Sequence, residues 1–124
     1  MRNISKEELN KILKEHEVWL KGEDGKRANL NDTNLRYLNL SNVDLRYADL
    51  RGANLRYANL EDSDLTYADL RFANLKGANL NHTNLKYADL TYADLRYTDL
   101  RYANLNNADL EHAKTNNYTI GYNK

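Results

Sequence analysis

The side chains that could do chemistry are few and scattered. Histidine stands at positions 16, 82 and 112, and cysteine is absent, which excludes disulfides and thiolate metal sites. A serine nucleophile needs a base within hydrogen-bond reach, and neither Ser41 nor Ser63 has a histidine nearby in the chain. No histidine pair has ligand spacing, and no glycine-rich loop could cradle a phosphate. These residues predict no catalytic group, no cofactor site and no metal site. A non-enzymatic protein is expected.

Charge is equally reticent. The 18 basic and 18 acidic side chains of the 124 residues cancel, so no global field advertises nucleic acid or a membrane surface. The opening "MRNISKEELNK" lacks the apolar stretch of a signal peptide, and no long apolar run follows it. A single soluble, cytoplasmic domain without membrane contact is expected.

What must position any functional side chain is a period of five. Leucine occupies every multiple of five from Leu30 to Leu110, seventeen times without a gap. The residue before each is Asn or Asp, and the residue before that is Ala in eleven units and mostly small or β-branched in the rest. On a helix, at ~100° per residue, a step of five advances the leucines about 140° and spreads them around every side. On a strand the same step puts successive leucines on opposite faces. A short extended segment followed by a bend gathers both the small residues and the leucines on one axis, which makes a solenoid with short flat sides.

The tandem A-[D/N]-L-x-x units of residues 28–112 resemble the pentapeptide repeat family. The resemblance implies an all-β solenoid: a right-handed quadrilateral β-helix with four pentapeptides per coil, here about four coils. Positions twenty apart then stack. Sorting by twenty gathers Asp49, Asp69, Asp89 and Asp109 in one column, and Asn34, Asn54 and Asn74 in another. Leu50, Leu70 and Leu90 are expected in the core. The asparagine columns read as amide ladders along the stack. The aspartate column could hold cations, although local backbone and arginine hydrogen bonds account for it more simply.

The open edge of a solenoid needs cover. In "ISKEEL", Ser5 is placed as N-cap with Glu8 three residues on, while Ile4 and Leu9 are placed as a hydrophobic staple. Leu9, Ile12, Leu13, His16, Trp19 and Leu20 share one helical stripe, which predicts a capping helix over residues 6–20. Residues 1–27 are thus read as cap and loop, residues 28–112 as repeat, and residues 113–124 as a degenerate tail whose Tyr118, Ile120 and Tyr122 cover the last coil.

Recognition must come from outward positions. Tyr37, Tyr57 and Tyr97 share one side with Arg36, Arg56, Lys76 and Arg96, the candidate interaction surface. Cationic and aromatic ladders could grip single-stranded nucleic acid, but the repeat carries nine basic against twelve acidic residues, which disfavours that use. The reading preferred is a scaffold or protein-interaction module with an unknown protein partner, monomeric or weakly associated end to end. The resemblance also implies, for a minority of the family, DNA mimicry against a topoisomerase such as gyrase. A zero net charge and Arg51 and Arg71 interrupting the aspartate side weigh against it.

Overall fold

The computed structural model of the chain describes residues 1–122. Parallel bridges join residue i to residue i+20 from Asn29↔Asp49 to Asp94↔Lys114, so four pentapeptides complete each coil. The Asn or Asp of each unit is the bridging residue. Asp69, for example, donates its N–H to Ala48 in the coil before (3.0 Å) and accepts the N–H of Leu50 (2.8 Å). Every side is thus one bridge wide, and the β-structure is a set of ladders rather than of extended strands.

Inside, the repeat leucines from Leu30 to Leu100, Leu50, Leu70 and Leu90 among them, are at most 1% exposed; Leu105 and Leu110, at the last coil, are half-buried. Hydroxyl residues at the small position stay buried because each finds a carbonyl: Ser63 and Thr83 donate to Leu60, and Thr98 to Leu75.

Each corner is a tight turn. From Leu45 to Leu110, the residue three after every repeat Leu donates to that Leu's carbonyl at 2.9–3.2 Å. Only the third residue of the turn has positive φ, which is the type II rather than the type I arrangement. That position favours glycine, yet among its occupants are Tyr37, Tyr47, Tyr57, Tyr67, Phe72 and Tyr87, with φ between 59° and 66°. An L-residue in this region costs about 1–2 kcal/mol. Three interactions oppose the cost: the N–H of Tyr67 donates to the Lys86 carbonyl of the next coil at 3.0 Å, its ring stacks on neighbours, and the preceding Asp64 caps the corner.

Three devices cover part of the N-terminal end. Helix α1 (Lys6–Leu20) starts at Ser5, whose hydroxyl accepts the N–H of Glu8 at 3.1 Å. It buries Leu9 and packs Ile12 and Leu13 on the core, with Ile4 beside them. Val43 and Leu38, where most units have a smaller residue, join the same packing. Second, the buried His16 ring bridges the helix to the first coil: its Nδ1 accepts the N–H of Ala28 (2.8 Å), so its Nε2–H donates to the carbonyl of Arg46 (2.9 Å). Third, residues ahead of the helix add a strand to the coil edge. Arg2 donates its N–H to Asp32 (2.8 Å) and accepts from Asn34 (2.7 Å), pairing in parallel with Thr33.

At the other end the ladder continues past residue 112 with one residue inserted: Asp94 pairs with Lys114, but Asp99 pairs with Ile120. Tyr118 stacks on Tyr97, Ile120 is partly exposed, and Tyr122 packs against the core. Gly121 has φ of 81°, and a Cβ there would stand 2.5 Å from the backbone nitrogen of Arg101. No helix among the described residues is long and apolar enough to cross a membrane.

Candidate functional site

The invariant Asn or Asp explains itself once the corners are seen. In every one of the seventeen units its Oδ1 accepts the N–H of the residue two positions on. This is the Asx turn, which holds the corner in place. It also corrects the expected amide ladders. With Oδ1 committed locally, asparagines contact one another between coils only at Asn79→Asn59 (3.4 Å) and Asn34→Asn3 (3.3 Å) among the described residues.

The same geometry sorts the cations. Arg46, Arg51, Arg71, Arg96 and Arg101 each follow an Asp by two, and each binds that carboxylate at 2.6–2.8 Å. Arg51 and Arg71 also reach the aspartate of the next coil, Asp69 and Asp89, at 3.8 and 3.7 Å. The carboxyls respond. The arginine hydrogen bonds hold Asp44, Asp49 and Asp94 below the usual carboxylate range. Burial pushes Asp69 upward, but Arg71 outweighs it and the net shift is downward. Asp99, bound by Arg101 and Asn81, falls to about 2. Asp49 and Asp69 therefore serve their own corners and arginines, while Asp89 and Asp109 cap Thr91 and Glu111, with Arg71 of the coil before reaching Asp89 alone. Among the described residues no cluster of His, Cys, Asp or Glu could hold a metal ion.

Arg36, Arg56 and Lys76 follow Asn34, Asn54 and Asn74 instead. The turn is the same, but the partner is neutral. None of the three has a carboxylate within salt-bridge distance among the described residues, whereas Arg96, on the same side, is neutralised by Asp94. The Arg56 Nε is buried with no hydrogen-bond partner among the described residues. Its guanidinium lies 5.8 Å from the Tyr57 ring centre, and Lys76 Nζ lies 5.6 Å from that of Tyr97.

The candidate tyrosines form two pairs rather than one ladder. Tyr37 stacks on Tyr57 (centroids 5.3 Å) and Tyr97 on Tyr118 (5.2 Å). Between them stands Gly77, where a Cβ would lie 2.5 Å from Tyr57 Cε1, so the ring of Tyr57 covers the glycine. Tyr37 and Tyr97 are exposed at 70% and 50%. The site thus brings three unpaired cations together with exposed rings along one side.

Other stacks escaped the sequence reading: Phe72–Tyr92–His112 and His82–Tyr102, at centroid distances of 4.8–5.0 Å. Their signal, aromatic residues twenty apart, was present in the chain. These stacks, like the Trp19–Tyr47–Tyr67–Tyr87 series, cover corners. His82 and His112 are therefore stacking partners, and His16, itself stacked on Trp19, is a buried hydrogen-bond bridge.

Comparison with known proteins agrees with this geometry. The family described as pentapeptide repeats matches residues 26–62, 44–81 and 78–114, in eight copies. Nothing among curated proteins matches the chain. A solved pentapeptide repeat protein from the cyanobacterium Cyanothece 51142 is 38% identical with a TM-score of 0.75, over 77% of this chain and 65% of that one. One from the thylakoid lumen of Arabidopsis thaliana is 26% identical with a TM-score of 0.66, over 68% of this chain and 59% of that one. The chain thus spans less than two thirds of the length of either. A third, from Nostoc Pcc 7120, is 36% identical over 86% of this chain and 80% of that one, with a TM-score of 0.42. With its profile matched across most of the chain and its i+20 ladder, this protein belongs to the pentapeptide repeat family.

Proposed function

We propose that the chain is a non-enzymatic protein-interaction module: a right-handed β-helix of about four coils that presents Arg36, Arg56 and Lys76, with the rings of Tyr37, Tyr57 and Tyr97, to an acidic partner surface. One observation carries the reading. The corner accepts Asn and Asp alike, yet this side has Asn beside three consecutive cations and leaves their charge without a carboxylate partner among the described residues. Cation rows steer association with complementary surfaces, and exposed Tyr and Arg are the residue types that dominate interface energetics.

A DNA-mimicking reading is weaker on the same ground. A mimic must show uninterrupted negative charge, whereas Asp49 and Asp69 of the adjacent aspartate column are paired with Arg51 and Arg71. Affinity capture from the source cell with the wild-type chain and with Arg36→Glu/Arg56→Glu/Lys76→Glu tests the proposal. A partner retained by wild type and lost by the triple variant, with an unchanged melting temperature, supports it. Equal capture by both refutes the assignment of the side. A labelled oligonucleotide shifted by the wild type at low salt and released at high salt would favour nucleic acid instead, and inhibition in a supercoiling assay would favour gyrase.

A further inference from the structure

The N-terminal edge is not closed everywhere. A groove of about 790 Å³ lies between α1 and the first coil, with Leu13, Lys14 and Leu20 on its helix wall and Asn42, Val43 and Asp44 on its coil wall. In the coil below, Asp64 uses both of its backbone groups, donating to Val43 (3.0 Å) and accepting from Leu45 (2.8 Å). Asp44 is the same position one coil earlier. Its N–H and its carbonyl have no hydrogen-bond partner among the described residues. An unpaired strand edge is a template for another extended chain.

The molecule already shows what such a chain looks like. On the opposite side Arg2 lies along Thr33 in parallel, with two backbone hydrogen bonds of 2.7 and 2.8 Å. The open groove offers more than that edge does. Leu13, Leu20 and Val43 are half-buried and supply an apolar wall. Its helix wall runs from Asn10 to Lys21, about 16 Å at ~1.5 Å per residue, which matches about five residues of extended chain at ~3.3 Å each. Arg46 is occupied by Asp44, and Lys21 stands 4.0 Å from Glu17, but Lys14 has no carboxylate partner among the described residues. The uncompensated charge of the groove is positive.

We propose that this groove takes an extended, acidic segment of a partner polypeptide, laid as an added strand on Asp44, with an apolar side chain against Val43, Leu13 and Leu20 and a carboxylate at Lys14. The proposal is independent of the Arg36 side and concerns a different face.

The test is selection of a displayed library of random heptapeptides on the full chain, followed by binding and amide-exchange measurements with the synthetic winners. Enriched peptides should alternate apolar and acidic residues. On binding, the Asp44 amide should exchange with solvent at least about tenfold more slowly, as expected for a newly paired edge donor. Lys14→Glu should weaken binding about tenfold or more, while Arg56→Glu leaves it unchanged. Lys14 is exposed, so its variant keeps the fold, which the melting temperature verifies. Failure to enrich any peptide would overturn the proposal. So would winners that bind Lys14→Glu as tightly as wild type, or that leave Asp44 exchange unaltered. Loss of binding in Arg56→Glu alone would assign the peptides to the other side.

Discussion

Replacing His16 by Phe asks whether the cap is held by two hydrogen bonds or by apolar cover alone. The ring would keep its place against Trp19, 5.6 Å away between centroids. Ala28 N–H and Arg46 carbonyl would each lose a partner, at 2.8 and 2.9 Å. A buried polar group left unpaired costs about 1–3 kcal/mol. The bond to Arg46 is only partly buried, and water can replace it in part. The expected loss is therefore in the lower part of the summed range, about 2–3 kcal/mol.

The pH dependence supplies the second half of the test. Burial lowers the His16 pKa, and Arg27 and Arg46 add to the effect; the Arg46 carbonyl and the charge of Asp44 oppose it without prevailing. Above pH 6.5 the ring is neutral in both folded and unfolded chains, and its contribution is complete. As pH falls below 6.5 the unfolded chain takes up a proton that the folded one resists, so stability declines until the lowered folded pKa is reached. Between pH 7.5 and 5.5 this loss is at most about 1.4 kcal/mol. Urea unfolding of wild type and His16→Phe at both pH values measures it, and His82 and His112 cancel because both proteins carry them. A variant that unfolds at the wild-type urea concentration would refute the hydrogen-bond account. Identical pH dependence in the two proteins would refute the neutral buried ring.

Two further outcomes follow from the packing and the ion pairs. Leu70→Ala, at a fully buried site between two coils, should cost about 2–5 kcal/mol by urea unfolding, and Leu110→Ala, half-buried at the last coil, should cost clearly less; equal losses would contradict a solenoid whose units lean only on neighbours. Because arginine partners hold Asp44, Asp49, Asp94 and Asp99 below their usual range, their contribution is complete above the ordinary carboxylate pKa and is lost as pH falls toward about 2, the value for Asp99. Circular dichroism melts should therefore fall steeply between pH 4 and pH 2, and a flat profile there would show the pairs to be inconsequential.

How much of this was legible depends on whether the residue repeats. The leucine period, the cap stripe with Ser5, Leu9, Leu13 and Trp19, and the twenty-residue columns are patterns, and patterns can be counted. The bulk of Leu38 and Val43 at the small position acquires its meaning only with the helix in place, since the first coil faces a helix instead of another coil. The corners were less legible. Local preference reserves positive φ for glycine and asparagine, and only the stacked neighbours and the Asx cap let tyrosine stand there; both are twenty-residue or three-dimensional relations. The Arg2 strand and the two bonds of His16 each occur once. A single residue that satisfies an edge leaves no periodic trace.

That distinction bears on where function resides. The fold demands an Oδ1 acceptor before every leucine, and asparagine and aspartate meet the demand alike: the capping distances are 3.1–3.3 Å at Asn34, Asn54 and Asn74, and 3.2 Å at Asp49 and Asp69. Packing therefore does not select between them, and the choice is open to charge. With aspartate, the arginine two residues on folds back and is neutralised. With asparagine its charge stays uncompensated, even where the side chain still folds back, as Arg36 Nε does onto Asn34 Oδ1 at 3.2 Å. The pattern of Asn and Asp along each column is in effect a charge map drawn on a surface whose shape does not change with it. Asn54→Asp tests this directly: Arg56 should pair with the new carboxylate at little cost to stability, and binding of an acidic partner should weaken although no cation has been removed. Undiminished binding in that variant would mean that the positive row is ornament of the fold rather than its recognition surface.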